Sequence, residues 1–477
     1  VKPISRIPSN NLSEYKLEVS DGCRTTAIRN LNITEAIKMK KLSARIAGIA
    51  IAFALPLSLV APASAAPAAV TLTVWTYGNV IEPQAIIDYK KLHPEITIQL
   101  KKSGLDAHHQ SLITSFLANK TPDIAAVEVS YSGYFRSYPQ YFTDLRKAPY
   151  NSASIENNYL DWRWAQGVGY EGTVFGLPTD VGGMQVAYRP ALFKAHGLPT
   201  SRDAVAKLWP TWSAFIATGQ KYQKNLSKAE KDSCSKKKVC YGFIDNAGTI
   251  YNAVLNQGTK KYYENDNTKD GKLVYESNPQ VKTAFQTTAT ALGAGIGTNI
   301  NSFTNDWNVG MNKGIFATIL APAWMMDYIK QQAPKTKGKW DIADLPGGGG
   351  NLGGSQLTIP KSAVHKKEAW DFMSWYLSPA EQLKIFKKYG LFPSTSVLYD
   401  NPALKNFKDP FFNNAPVGQI YGSSVKTLKP IYEGKKQRAI DNIIGQALSR
   451  VGLKKQNAAS AWTQALNEIK NAVGPSK

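Results

Sequence analysis

From residue 70 onward the chain alternates between two hydrophobic periods. Val70 to Trp75 is rich in β-branched residues and reads as a strand. Pro83 opens a helix whose apolar face is Ala85, Ile86, Tyr89 and Leu92, and Pro94 ends it. Ile96 to Leu100 is a second strand. Leu112, Ile113, Phe116 and Leu117 mark the next helix, closed by Thr121-Pro122, and Ile124 to Val129 is a third strand. Strand–helix–strand–helix–strand predicts a parallel, doubly wound sheet. Ligands of such sheets bind outside the carboxyl ends of the strands. Those ends carry Trp75 to Asn79 and Ser130-Tyr131.

The middle of the chain is mixed. Leu192 to Gly197 and Trp212 to Gln223 read as helices, and Ile315 to Leu320 as a buried strand running into Ala321-Pro322-Ala323-Trp324. A glycine-rich loop, Pro346 to Gly354, leads into a strand at Ser355 to Ile359. The rest is helical. Ala369, Trp370, Phe372, Met373, Tyr376 and Leu377 line one helix face. Ser378-Pro379-Ala380-Glu381 has capping-box spacing with Pro at the first helical position. Helices are expected at about 435–452 and 457–473.

The first 65 residues differ in kind. Met39-Lys40-Lys41 and Arg45 precede an almost wholly apolar stretch from Ile46 to Val60, and Ala63-Ser64-Ala65 follows. Basic, apolar, small-x-small is the order of a secretory signal peptide cleaved near Ala65. The apolar run is about 15 residues, short of the roughly 20 that span a bilayer, and Pro56 interrupts it. A retained anchor is the lesser reading. Residues 1–38 are polar and without sustained period, which makes them a doubtful extension. Translation is expected to begin at Met39.

Charge adds one question. The chain has a formal charge of +22, and residues 66–477 keep +17 of it. That balance suits an acidic polymer or an anionic ligand. It equally suits a basic solvated surface, and the lysines are scattered. No basic helix interleaved with aromatics suggests nucleic acid. Cys234 and Cys240 flank Ser-Lys-Lys-Lys-Val. In an exported chain they are expected to form a disulfide, worth about 2 kcal/mol in the loop-entropy picture. With no His or further Cys beside them, no metal site is expected.

Most enzyme classes leave a mark that this sequence lacks. It has no Gly-x-Ser-x-Gly elbow, no His-Glu-x-x-His and no Gly-x-x-x-x-Gly-Lys-Ser/Thr loop. The glycines at 347–350 are not followed by Lys-Ser/Thr and read as a flexible approach to a hinge. His108 and His109 are adjacent, so a helix is expected to point them to different places. Carboxylate pairs of a glycosidase depend on spatial separation and stay open. What remains is an aromatic and polar set at loop ends. Sugars offer apolar C–H faces and many hydroxyls, and their sites want a flat aromatic with polar groups at its edge. Trp324, after a strand and a Pro, is one candidate, and Asp180, after Leu177-Pro178-Thr179, is another. Each has a plain alternative: Trp324 as core, Asp180 as a turn cap.

The order of segments then resembles the family 1 extracellular solute-binding proteins, the oligosaccharide receptors of ABC importers. Val174 to Tyr188, with Leu192-Phe193 and Gly197-Leu198-Pro199, is similar to the family's first crossing between lobes. Trp307 to Met326, with Lys313-Gly314 and Pro322-Ala323-Trp324, is similar to its Gly-Lys-x-Ala-Met…Gly-x-Trp segment. Leu345-Pro346, Gly353-Gly354-Ser355 and Ile359-Pro360 resemble its second crossing. Glu368 to Leu377, Ser378 to Glu381 and Gly390-Leu391-Phe392-Pro393 continue the match, which spans nearly all of 70–477.

The resemblance implies an α/β, two-lobed periplasmic-binding-protein-like fold with hinge crossover strands and a ligand cleft. Lobe one is expected at 66–181 plus 357–402, lobe two at 182–356 plus 403–477. Family ligand positions fall on Trp75, Asn79, Tyr131, Asp180, Trp324 and Ser355. It implies a monomeric receptor, not an enzyme, with no cofactor, a carbohydrate ligand, and permease subunits as partners. Asn312 to Phe316 lacks the usual Ala-Met, and Ser130-Tyr131 lacks charges that some maltodextrin receptors carry there, which points away from maltose itself. A non-sugar anionic solute and a secreted carbohydrate-active enzyme are the alternatives.

Overall fold

A computed structural model describes residues 68–236, 239–298 and 300–476. The expected signal peptide and the doubtful segment before it lie outside the described residues. Eleven strands are present among the described residues: β1 Val70–Tyr77, β2 Ile96–Ser103, β3 Ile124–Glu128, β4 Gly176–Pro178, β5 Met184–Tyr188, β6 Gly242–Ile244, β7 Tyr263–Glu264, β8 Lys272–Leu273, β9 Phe316–Pro322, β10 Asp341–Ala343 and β11 Ser355–Thr358. They build two main sheets, each with its own helices, and a small ribbon of β7 and β8.

The first sheet has the order β2-β1-β3-β11-β4. β2 and β3 both run parallel to β1, with Val70 opposite Ile96 and Tyr77 opposite Ser103. The parallel core is thus as the pattern predicts. The sheet as a whole is mixed, because β11 runs antiparallel to both β3 and β4. The reason is its route. β11 arrives from the other lobe and enters the sheet at the carboxyl edge, so Ser355 pairs with Glu128, the last residue of β3. Ile124, Ala125, Ala126 and Val127 are fully buried, as a central strand covered on both faces requires. In β1, Leu72, Val74 and Thr76 are buried, while Thr73, Trp75 and Tyr77 share the other face.

The helix Pro83–Leu92 buries Ala85 and Tyr89. The helix Leu105–Leu117 buries Leu112 and Phe116. Leu117 is exposed instead of facing the core, because five residues from Leu112 carry it toward the far side of a 3.6-residue turn.

The second sheet has the order β10-β5-β9-β6. Every residue of β9 is buried. Its helices include Trp212–Lys224, Pro279–Gly293 and the carboxyl-terminal pair Gln437–Gly452 and Ala458–Val473, which bury Ile440, Ile444 and Ala447 and Ala461, Ala465 and Ile469. Cys234 and Cys240 are disulfide-bonded, with Cα atoms 4.3 Å apart, at the end of the helix Lys228–Ser235.

Two strand-like segments join the sheets, 179–183 and 344–354. They pair with each other: Leu352 N donates to Gly182 O at 2.8 Å and Met184 N to Gly350 O at 2.9 Å. Gly182 is required there, since a Cβ on it would stand 1.9 Å from Leu352 O. A third stretch runs past them, with Val181 N donating to Phe392 O at 2.9 Å. Phe392, Leu398 and Tyr399 pack into the core that holds Trp307, Phe316 and Trp340.

Candidate functional site

The carboxyl edge of the first sheet gathers a buried polar network. Tyr77, the last residue of β1, meets Ser355, the first of β11, with the two hydroxyl oxygens 2.5 Å apart. The Ser355 carbonyl accepts from Thr179 N at 2.9 Å and from Arg163 at 2.8 Å. Arg163 is fully buried and also donates to the Asp180 carbonyl at 3.0 Å. Thr179 Oγ1 donates to Asp180 Oδ1 at 2.6 Å. Asp180 and Ser355 therefore share one hub, built on Arg163 and Thr179. Burial raises the Asp180 carboxyl above the ordinary range, and Thr179 and Arg163 oppose that shift.

The network continues along the helix Leu105–Leu117. The Tyr77 ring lies 5.5 Å from His108 and 5.4 Å from His109. The two histidines thus flank one ring, contrary to the expectation that a helix would send them to different places. Adjacent residues are about 100° apart on a helix, which is close enough to grip a single side chain. His109 stacks on Tyr131 at 3.8 Å with planes 2° apart. Its Nδ1 bonds Leu105 O at 2.7 Å and its Nε2 accepts from Glu128 N at 3.1 Å. Both nitrogens are committed in a neutral ring, and burial holds its pKa down at about 3. This histidine is a positioned wall, not a proton shuttle. Tyr131 Oη donates to Asp106 at 2.6 Å.

Glu128 ends β3 and caps the helix Val129–Arg136, accepting from Ser130 N at 2.8 Å. Burial pushes its pKa up to about 7, opposed by the Ser130 bonds, with Glu433 of the second lobe adding to the rise. Glu433 is itself buried and paired with Lys261 at 2.8 Å. Arg438 reaches across to Asp106 with contacts of 2.9 and 3.1 Å. Arg136 donates to Glu433 O at 2.6 Å. The two lobes meet face to face along this line.

Trp324 stands at the end of β9, opening the helix Met325–Gln332. Its Nε1 donates to Leu352 O at 2.8 Å. Gly353 passes beside the ring with φ of 93°, and a Cβ there would stand 2.7 Å from Trp324 Nε1. The indole is fixed to the second crossing, three residues before Ser355. Asn79 donates to Asp327 of that helix at 2.7 Å and accepts from Lys102 at 2.5 Å, a further bridge between the lobes. Trp75 lies inside β1, two residues short of its end, with Lys101 Nζ 4.1 Å from its ring. Tyr77 takes the strand-end place that the sequence pattern gave to Trp75.

Of the six sequence-derived residues, Tyr131, Asp180 and Ser355 join one network, with Trp324 beside it on the crossing. Asn79 and Trp75 stand apart. His109, Glu128, Arg163 and Arg438 were missed, and Tyr77 lay within the expected Trp75 to Asn79 strand end without being singled out. Tyr77 was the most legible, as the last β-rich position before Gly78.

Comparison with known proteins places this geometry. The pattern described as bacterial extracellular solute-binding protein matches residues 84–412. An arabinooligosaccharide-binding protein of Bacillus subtilis (strain 168) is 24% identical over 429 residues, covering 84% of this chain and 92% of that protein. The crystal structure of an extracellular solute-binding protein family 1 member superposes with a TM-score of 0.71 at 31% identity, over 84% of this chain and 99% of that one. The fold is shared with an ABC-transporter-associated binding protein from B. animalis subsp. lactis Bl-04 in complex with β-1,6-galactobiose, at TM-score 0.70 and 20% identity, over 85% of this chain and 99% of that one. These relatives are named as binding proteins, one of them associated with an ABC transporter. The chain belongs to the bacterial extracellular solute-binding proteins.

Proposed function

We propose that this chain is the extracytoplasmic substrate-binding component of an ABC importer. It captures a sugar or oligosaccharide between its lobes and delivers it, as a monomer, to a pair of membrane permease subunits. Membership of the extracellular family makes it an exported protein. The leader that carries it is the stretch 39–65, cut near Ala65. No helix among the described residues is long and apolar enough to cross a membrane. The lobes divide near residue 181, near 356 and near 402.

One observation carries the carbohydrate reading. The carboxyl edge of the first sheet presents hydroxyls, carboxyls and flat rings together: Tyr77, Ser355, Glu128, Ser130 and Tyr131, with Trp324 on the crossing. Such a set satisfies hydroxyls and covers C–H faces. It also argues against an anionic solute, despite the basic surface. Glu433 is buried and Glu128 and Asp441 are half-buried at this junction, and an added anion would meet these carboxyls at low effective dielectric. The relatives' ligands, arabinooligosaccharide and β-1,6-galactobiose, point the same way. Hinge closure follows from differential contact: a sugar touching both lobes favours the closed form.

The deciding measurement is a thermal-shift screen over neutral mono- and oligosaccharides beside phosphorylated and acidic solutes. A neutral sugar should raise Tm through mass action, with little salt dependence, and should be recovered intact after long incubation. A shift given only by anionic solutes, steeply screened by salt, would overturn the reading. So would turnover of the sugar.

A further inference from the structure

Lysines that lie scattered along the sequence gather once the chain is folded. Residues 328–343 and 382–430 hold eleven lysines and three aspartates, with no arginine or glutamate. Both stretches cover one buried core, to which Ala333, Trp340, Phe386, Leu404, Phe411 and Val425 all belong. Apolar side chains turned inward leave the lysines outside.

Contacts between the stretches make these lysines neighbours. Lys330 Nζ pairs with Asp409 at 2.6 Å and donates to Lys388 O at 3.5 Å, which sets Lys388 beside the segment of Lys408. Lys387 Nζ stands 6.0 Å from the Phe407 ring. Gly338 N donates to Phe411 O at 2.8 Å, bringing Lys337 and Lys339 to the same segment. Lys405 pairs with Asp400 at 2.9 Å. Lys405 first, and Lys426 after it, hold the Asp400 carboxyl below its ordinary range, so Lys426 belongs to the group.

The acids do not balance this charge. Asp341 and Asp409 are buried, and each already pairs with a cation, Arg202 and Lys330. Asp400 is the one exposed carboxylate of the two stretches. Lys337, Lys339, Lys408 and Lys426 are exposed, and none pairs with a carboxylate among the described residues.

The chemistry of the patch says what it fits. Its cations are exposed point charges, not planar forks set in a pocket, which suits a dense field of anions over one stereospecific anion. Val397 is 52% exposed three residues before Asp400, an apolar side chain of the kind that enters a headgroup layer beside basic residues. A water-soluble polyanion offers it nothing.

We infer that this lysine face docks the exported protein on an anionic phospholipid bilayer and so holds it beside membrane-embedded partners. The choice of a bilayer rests on the importer reading above, while the patch shares no residue with the sugar site. The attraction acts within a Debye length and is screened by salt.

The test is co-flotation of the exported protein, leader removed, with vesicles of phosphatidylglycerol and phosphatidylcholine in equal parts and with phosphatidylcholine alone, at low and high salt. Binding to soluble polyglycerol phosphate is measured in parallel. Wild type should float with the mixed vesicles at low salt, dissociate at high salt and ignore phosphatidylcholine. The triple variant Lys339→Glu, Lys387→Glu, Lys408→Glu should lose at least about tenfold in vesicle affinity. Lys120→Glu, Lys221→Glu, Lys282→Glu makes the same change of charge at exposed positions elsewhere and should stay within about threefold. Both should keep the wild-type Tm and any sugar-induced shift. Wild type that ignores the mixed vesicles overturns the docking face. Equal losses in the two triple variants overturn it too, since net charge would then suffice. Binding to the polymer with none to the vesicles overturns the bilayer as partner. Each of these leaves the importer reading standing. Vesicle binding as expected, with no solute shifting Tm, would sink the importer reading and keep the docking face.

Discussion

At the scale of single residues, the site is built from side chains held in place by hydrogen bonds to one another and to the main chain. Trp324 shows the consequence. Its N–H is held by Leu352 O, so the indole has one orientation, and its face is what remains to offer a ligand. Rigid aromatics lose little entropy on binding. Trp324→Ala should therefore weaken sugar binding by at least about tenfold. The fold should survive, because the side chain is only half-buried, and Tm should drop by a few degrees at most. Calorimetry and thermal melts on the same preparation separate the two effects. An unchanged affinity would make Trp324 a packing residue of the crossing. Asp180 reads differently now. Its carboxyl is turned to Thr179 and its carbonyl to Arg163, so it organises the hub on which Ser355 sits.

At the scale of elements, the pieces were legible where one face is buried. The helices Gln437–Gly452 and Ala458–Val473 and the strands β1 and β2 follow the apolar period closely, and β9, buried throughout, shows instead as one continuous apolar run. Long-range pairing was not legible. Nothing local to Ser355–Thr358 says that it will run antiparallel to β3, because that direction is set by the chain's return from the other lobe. The short helix Val129–Arg136 was hidden because Ser130 and Tyr131 read as a loop after a strand, while Glu128, its cap, read as strand. The turn from β1 into the helix Pro83–Leu92 holds a second hidden feature. Glu82 occupies the cap position without capping. It is 1% exposed, and neither carboxyl oxygen has a hydrogen-bond partner among the described residues. Burial first, and Asp327 second, push its pKa up to about 8, with Lys102 and Lys388 opposing. A carboxyl raised in this way stabilises the fold while protonated. That stability is fully present below the unfolded value of about 4.3 and is lost as pH rises through about 8. Tm should then fall between about pH 5 and about pH 8. Glu82→Gln should flatten that slope and raise Tm at the alkaline end. Parallel Tm–pH curves for the two proteins would remove Glu82 from the account.

At the scale of the whole molecule, the lobes touch through charged groups as well as through whatever ligand lies between them. Asp106–Arg438 and Asn79–Asp327 are polar bridges. Glu128, by contrast, is a cost of closing. Burial and the approach of Glu433 both raise its pKa, to about 7, while Ser130 and Lys261 oppose. His109 meets its main chain and is held neutral. In a hinge mechanism, opening admits water and carries Glu433 and Lys261 away, so Glu128 returns toward the ordinary carboxylate range. Closing therefore takes up a proton wherever pH lies between the open and closed values. Because ligand favours the closed form, affinity is linked to the same proton. Sugar binding should be tighter near pH 6 and weaken as pH rises through about 7. Calorimetry in two buffers of different ionisation enthalpy should register net proton uptake on binding. Glu128→Gln keeps an oxygen for the Ser130 bonds and cannot titrate, so it should bind sugar with little pH dependence and no such uptake. If the wild type and Glu128→Gln show the same pH profile, closure leaves this carboxyl's environment unchanged, and the junction of Glu128 with Glu433 persists in the open form.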